Sequence, residues 1–170
     1  MKVMLATTPI RPVPTAFPPF GSLTLMKYLR KNGFNDLEFY NIDGNRPSYE
    51  EVLDHIRAAK PDVFGISAVV STAYEYSKRL SLDVKRMLPD TLIVLGGNMG
   101  ASANVLLRRT GVDMCVLGEG EQTFLNVVQR AQSERSPLAF RDIKGLTLLD
   151  KHDTLINTGY EVTLPGEQLY

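Results

Sequence analysis

Leu92-Ile-Val-Leu-Gly-Gly-Asn-Met-Gly-Ala-Ser102 and, a little further on, Asp113-Met-Cys-Val-Leu-Gly-Glu-Gly-Glu-Gln-Thr123 follow one pattern. In each, a short apolar run rich in β-formers ends in closely spaced glycines, and a helical pattern then begins. Such a junction is where a parallel strand delivers the chain to the carboxyl edge of its sheet. Glycine there removes the Cβ and lets a ligand approach the backbone. Two of them in successive units define a ligand-binding edge.

Working outward, strand and helix alternate along most of the chain. Val3–Thr8 reads as a first strand, followed by a Pro-rich loop from Pro9 to Pro19. A helix follows to about Asn32, with Leu25 and Leu29 spaced i, i+4 and Gly33 as its stop signal. Leu37–Asn41 is a second strand. Ser48, with Glu51 three residues on, forms a capping box for a helix running to about Ala59. Asp62–Ser67 is a third strand, and a helix from Thr72 to Leu88 stops at Pro89. Thr91–Leu95 and Asp113–Leu117 are the fourth and fifth strands, with helices over Ala101–Thr110 and Glu121–Gln132.

Five βα units predict an α/β fold: a parallel sheet with right-handed crossovers and helices on both faces. The flavodoxin-like (Rossmann-like) order 2-1-3-4-5 is the natural five-stranded arrangement. After Ser136-Pro137 the pattern changes. Ile143–Leu149 and Thr154–Thr158 flank Asp150-Lys-His-Asp153 and read as a C-terminal β-hairpin with a four-residue loop. The tail from Val162 to Tyr170 has no periodicity and reads as a linker. The division expected is a binding domain over 1–136 and a hairpin with linker over 137–170.

At 170 residues the chain is long enough to bury roughly 70% of its unfolded surface, so a core needs neither metal nor disulfide. Lys plus Arg equals Asp plus Glu, at 19 each, which leaves no electrostatic footprint for nucleic acid or an anionic membrane. The single cysteine, Cys115, excludes an internal disulfide and a multi-cysteine metal site, and lies in a strand as a small hydrophobe. No apolar run reaches the roughly 18 residues of a membrane span, and the amino terminus opens on a strand rather than a signal peptide. A cytoplasmic protein is expected.

Ligands can be tested against the loops at the strand ends, which begin at Thr7, Ser67, Gly96 and Gly118. A dinucleotide needs G-x-G-x-x-G after the first strand, but no glycine occurs there before Gly21. A flavin phosphate needs backbone N–H donors in the same loop, which its prolines lack. The paired acids and lysine of a response-regulator receiver are missing. A bulky, largely apolar ligand arm lying against glycine and one hydroxyl remains.

The wording of the chain then becomes specific. Pro18-Pro-Phe-Gly-Ser-Leu-Thr-Leu-Met-Lys-Tyr-Leu29, Asp62-Val-Phe-Gly-Ile-Ser67, Ile93-Val-Leu-Gly-Gly97 and Gly111–Thr123 together resemble the amino-terminal cobalamin (vitamin B12)-binding domain of cobalamin-dependent radical S-adenosylmethionine enzymes. The resemblance spans nearly the whole chain, including a hairpin and linker from Lys144 to Pro165. It implies that the Ser67 hydroxyl bonds the nucleotide tail of cobalamin, with Ala68 and Val69 following in the same loop. It implies that Gly96 and Gly97 line the slot for that tail, and that Gly118, Glu119 and Gly120 border the tail or the corrin side chains. The loop from Thr8 and Pro9 through Pro19 would lie beside the corrin face.

The resemblance further implies a partner: a C-terminal radical domain of the same polypeptide, holding the iron–sulfur cluster and S-adenosylmethionine. Its Cys-x3-Cys-x2-Cys motif cannot come from one cysteine, so this chain alone would not perform radical chemistry. Methyl transfer is the reaction most common in such enzymes, with ring formation or rearrangement next. One departure stands out. Many cobalamin domains carry Asp-x-His-x-x-Gly after the first strand, and here that loop has no histidine; His55 and His152 lie elsewhere. Cobalamin without a histidine lower ligand is the expectation. Two other readings stay open at this point: a flavodoxin-like enzyme domain for a nucleotide or sugar phosphate, and a scaffold that only docks a partner.

Overall fold

A computed structural model describes residues 1–169; Tyr170, the last residue of the predicted linker, lies outside the described residues. Seven strands form one sheet: β1 (Val3–Thr7), β2 (Leu37–Tyr40), β3 (Val63–Ser67), β4 (Leu92–Gly96), β5 (Met114–Val116), β6 (Leu146–Leu149) and β7 (Leu155–Asn157). Their order is β2-β1-β3-β4-β5-β6-β7. The first five are parallel, as the alternation predicts. The hairpin β6–β7 is continuous with them, because β6 adds antiparallel to β5.

The helices are α1 (Phe20–Lys31), α2 (Ile42–Asn45), α3 (Tyr49–Ala59), α4 (Tyr74–Met87), α5 (Ala103–Arg109), α6 (Glu121–Arg130) and α7 (Gly166–Leu169). Two predicted helix starts are tighter than expected: 3₁₀ turns occupy Ser71–Ala73 and Asn98–Ser102 ahead of α4 and α5. Two short helices, α2 and α7, are not in the hydrophobic pattern, since four residues make barely one turn. Their local signals differ in kind: Asn41 caps α2 with its side chain on the Gly44 amide, and the capping box of Ser48 and Glu51 starts α3.

The central strands β1, β3, β4 and β5 are apolar on both faces, as strands covered on both sides must be. Met4, Ala6, Phe64, Ile66, Ile93, Leu95 and Cys115 face a core closed by α3, α4 and α5. Val3, Val63, Leu92, Val94, Met114 and Val116 face the other, closed by α1 and α6. Burial pushes the Cys115 thiol up to about 12, so it stays protonated and unreactive near neutrality. Because α1 and α6 pack together above the strand ends of β1, β3 and β4, the gap between them and the sheet is where a ligand can enter.

At the far side of β5, Gly145 (φ +83°) turns the chain into β6, and a Cβ there would sit 2.1 Å from Thr123 Oγ1. Thr123, buried on α6, donates to the Lys144 carbonyl at 3.0 Å. That pair fixes the hairpin to the helix beside the ligand edge. Among the described residues, no helix is long and apolar enough to cross a membrane.

Candidate functional site

A cavity of about 460 Å³ opens at the carboxyl edge of the sheet, between β1, β3 and β4 on one wall and α1 and α6 on the other. The register of the strands orders the sheet wall into two rows. Thr7, Ser67 and Gly96 pair across the outer row, and Leu5, Gly65 and Val94 across the inner one, about 7 Å deeper. The outer row is polar and bare; the inner row is apolar. On the helix wall, Ser22 and Leu25 of α1 and Phe124 of α6 face them across the cavity.

Leu5 and Phe124 close over Gly65 at the floor of the cavity. A Cβ at that position would lie 2.6 Å from Leu5 Cδ1 and 3.2 Å from Phe124 Cζ, so only glycine lets the sheet and α6 approach this closely. The two glycines of the fourth junction have different jobs. Gly96 has only the Val116 Cβ within 4 Å, at 3.9 Å, so its missing side chain is free space. Gly97 is structural: its φ is +88°, and a Cβ would meet the Ala68 carbonyl oxygen at 2.5 Å. Gly118, with φ +70°, lies against the ring of Tyr160, which is 75% exposed and follows β7.

The polar groups at the site divide into satisfied and unsatisfied. Thr7 Oγ1 donates to Asn41 Oδ1 at 2.8 Å and accepts from the Asp43 amide at 3.1 Å. Thr8 Oγ1 donates to the Ser67 carbonyl at 3.2 Å. The Ser67 hydroxyl bonds no other described residue. Ser22 Oγ and Thr15 Oγ1 are buried without any partner. A buried hydroxyl left unpaired costs about 1–3 kcal/mol, and the cavity is where both can be repaid.

The Pro-rich loop over the cavity is held from beneath. Arg46 (φ +48°) donates to the carbonyls of Arg11 and Val13, both at 2.8 Å, and pairs with Asp43 at 2.6 Å. Thr72 Oγ1 donates to the Ile10 carbonyl at 2.7 Å. The Ile10 amide in turn donates to Asp43 Oδ1 at 3.4 Å. The loop thus presents Phe17 and, at the start of α1, Phe20 to the mouth, both strongly exposed.

Of the eleven residues named from the resemblance, Thr8, Pro19, Ser67, Val69, Gly96, Gly97, Gly118, Glu119 and Gly120 line this cavity. Pro9 and Ala68 are not among the lining residues. Ala68 is fully buried, with its amide on the Gly96 carbonyl and its carbonyl accepting from Met99, so it joins β3 to the turn after β4. Neither histidine lines the cavity: His55 pairs with Glu38 and stacks on Tyr40, and His152 is at the tip of the hairpin. Sequence reasoning missed Gly65, Ser22, Leu25 and Phe124. Gly65 was legible as a glycine inside a strand, the usual mark of a close approach.

The charged lining residues are Asp43, Glu119 and Glu121, with no lysine or arginine. Asp43 is already paired with Arg46, so a phosphomonoester would bring two negative charges to the carboxylates of Glu119 and Glu121 with no lysine or arginine among the described lining residues, which argues against a nucleotide or sugar phosphate. The residues present fit cobalamin instead: a bare slot for a flat heterocycle, unpaired hydroxyls for its polar atoms, and an exposed aromatic rim for the corrin.

Fold and slot define a class, the doubly wound domains that take a bulky ligand end-on at the switch point between strands one and three. The chain belongs to the B12 binding domain family, which matches residues 7–128. It is 33% identical over 121 residues to the anaerobic magnesium-protoporphyrin IX monomethyl ester cyclase of Rubrivivax gelatinosus, covering 70% of this chain and 22% of that protein. Its fold is that of the cobalamin-dependent S-adenosylmethionine radical enzyme OxsB with aqua-cobalamin bound (TM-score 0.78, 18% identity, 95% of this chain and 22% of that one). The radical S-adenosylmethionine methyltransferase TsrM from Kitasatospora setae, with cobalamin and a [4Fe-4S] cluster bound, is similarly close (TM-score 0.76, 18% identity, 98% and 30%). The chain spans about a quarter of the length of the curated relatives it matches.

Proposed function

We propose that this chain is the cobalamin-holding module of a radical S-adenosylmethionine enzyme, and that the cofactor's nucleotide tail enters the slot over Gly65. The observation that carries the reading is the open outer row at Gly96, with the Ser67 hydroxyl free beside it, above an apolar inner row. Bound cobalamin supplies a cobalt–carbon bond from which an alkyl group can be transferred. The protein's own part is to orient it. Ser67 anchors the tail, Gly96 gives it clearance, Glu119 and Glu121 accept from corrin amides, and the loop held by Arg46 supports the corrin face.

Three finer assignments complete the reading. The cobalt takes no histidine from this chain, because His55 pairs with Glu38 and His152 lies at the hairpin tip, both away from the cavity. The iron–sulfur cluster and S-adenosylmethionine belong to a radical domain of the same polypeptide, reached through segment 137–170, and methyl transfer is the reaction favoured. A cytoplasmic setting suits the one free, buried thiol.

The experiment is direct. The protein is mixed with hydroxocobalamin or methylcobalamin and gel-filtered, and the visible spectrum of the protein peak is recorded. Co-elution near one equivalent is expected, with no nitrogen superhyperfine splitting in the electron paramagnetic resonance spectrum of the reduced cob(II) form. Gly96→Val is the matched control. Its Cβ meets nothing closer than Val116 Cβ at 3.9 Å in the empty protein, so circular dichroism, recorded in parallel, should be unchanged while co-elution falls at least tenfold. Retention of cobalamin by that variant at the parental level would sink the slot assignment.

A further inference from the structure

Ser22 is the only buried polar side chain that the two helices contribute to the cavity wall; it is 3% exposed and its hydroxyl has no partner. Its surroundings are those of a ring-binding site. Leu25 follows three residues on along the same helix face, Phe124 comes from α6, and Leu5, Gly65 and Val94 form the opposite row. A flat heterocycle between these walls leaves its faces on apolar carbon and turns an edge toward α1. What that edge carries decides whether the Ser22 hydroxyl is paired or stays orphaned.

We infer that Ser22 selects the lower base of the cofactor, favouring cobamides with a purine base over cobalamin itself. This rests on the cobalamin-type reading above. The six-membered ring of dimethylbenzimidazole has two methyl groups and no heteroatom. That of adenine has ring nitrogens that accept and an amino group that donates. A serine hydroxyl does both, so a purine edge satisfies it and a methylated edge does not. The discrimination follows the rule that a site with a buried polar group rejects an analogue that leaves it unpaired. Ribose and phosphodiester are common to both cofactors, so contact with them gives no selectivity.

The test compares adeninyl cobamide with cobalamin by equilibrium dialysis, on the wild-type protein and on Ser22→Ala. The wild type should bind the purine form about tenfold more tightly, the value of one hydrogen bond made rather than lost. Ser22→Ala should bring the ratio to about one, chiefly by weakening the purine form, with its melting transition kept. Equal wild-type affinities would overturn the inference and leave the cobalamin reading intact. A ratio unchanged in Ser22→Ala, or an equal loss of both cofactors, would also overturn it. Binding of neither cobamide by the wild type would overturn both.

Discussion

At the residue scale, the site is shaped by what is left out. Gly65 and Gly96 are adjacent-row glycines with opposite sensitivities, because one lies under Leu5 and Phe124 and the other under open space. Ser22 is held in a buried position that costs the empty protein stability. Ser22→Ala should therefore stabilise the unliganded chain by about 1 kcal/mol, from the relieved hydroxyl and the better helix former together. Urea denaturation without cofactor measures it, and a loss of stability would mean that the hydroxyl is already paired. Such an exchange of stability for binding is usual where a residue serves a ligand. The sequence made the glycines at strand ends visible, because glycine after a β-run has few other readings. It did not reveal Ser22. A serine in the first turn of a helix is unremarkable until packing shows which wall it faces.

At the element scale, alternation and capping were legible because they depend on near neighbours. The capping box at Ser48 and the stop at Gly33 are where the spacing puts them. The way the Pro-rich loop is held was not legible, since Arg46 reaches back more than thirty positions to Arg11 and Val13. A left-handed arginine at the end of α2 gave no sign of it. Arg46→Ala should free the loop while leaving the sheet intact. Hydrogen exchange across residues 10–17 should rise severalfold, with a global loss of only about 1 kcal/mol because the guanidinium is partly exposed. An unchanged exchange pattern would show that Thr72 and Asp43 hold the loop without it.

At the scale of the whole molecule, the parallel part of the sheet and its order followed from five βα units. That the hairpin would extend this sheet, rather than stand apart, did not follow. Its partner strand is set by the Gly145 turn and by Thr123, a contact across 21 positions that no local pattern encodes. Gly145→Ala should cost about 2–3 kcal/mol, from positive φ and the collision with Thr123 together. A urea midpoint within error of the wild type would refute the tie. The same continuity reaches the cavity. Tyr160 follows the last strand and rests on Gly118, a residue of the cavity lining. The chain that leaves the hairpin thus meets the doorframe of the cavity, which makes that threshold the place where the sheet's last strand and the ligand edge join.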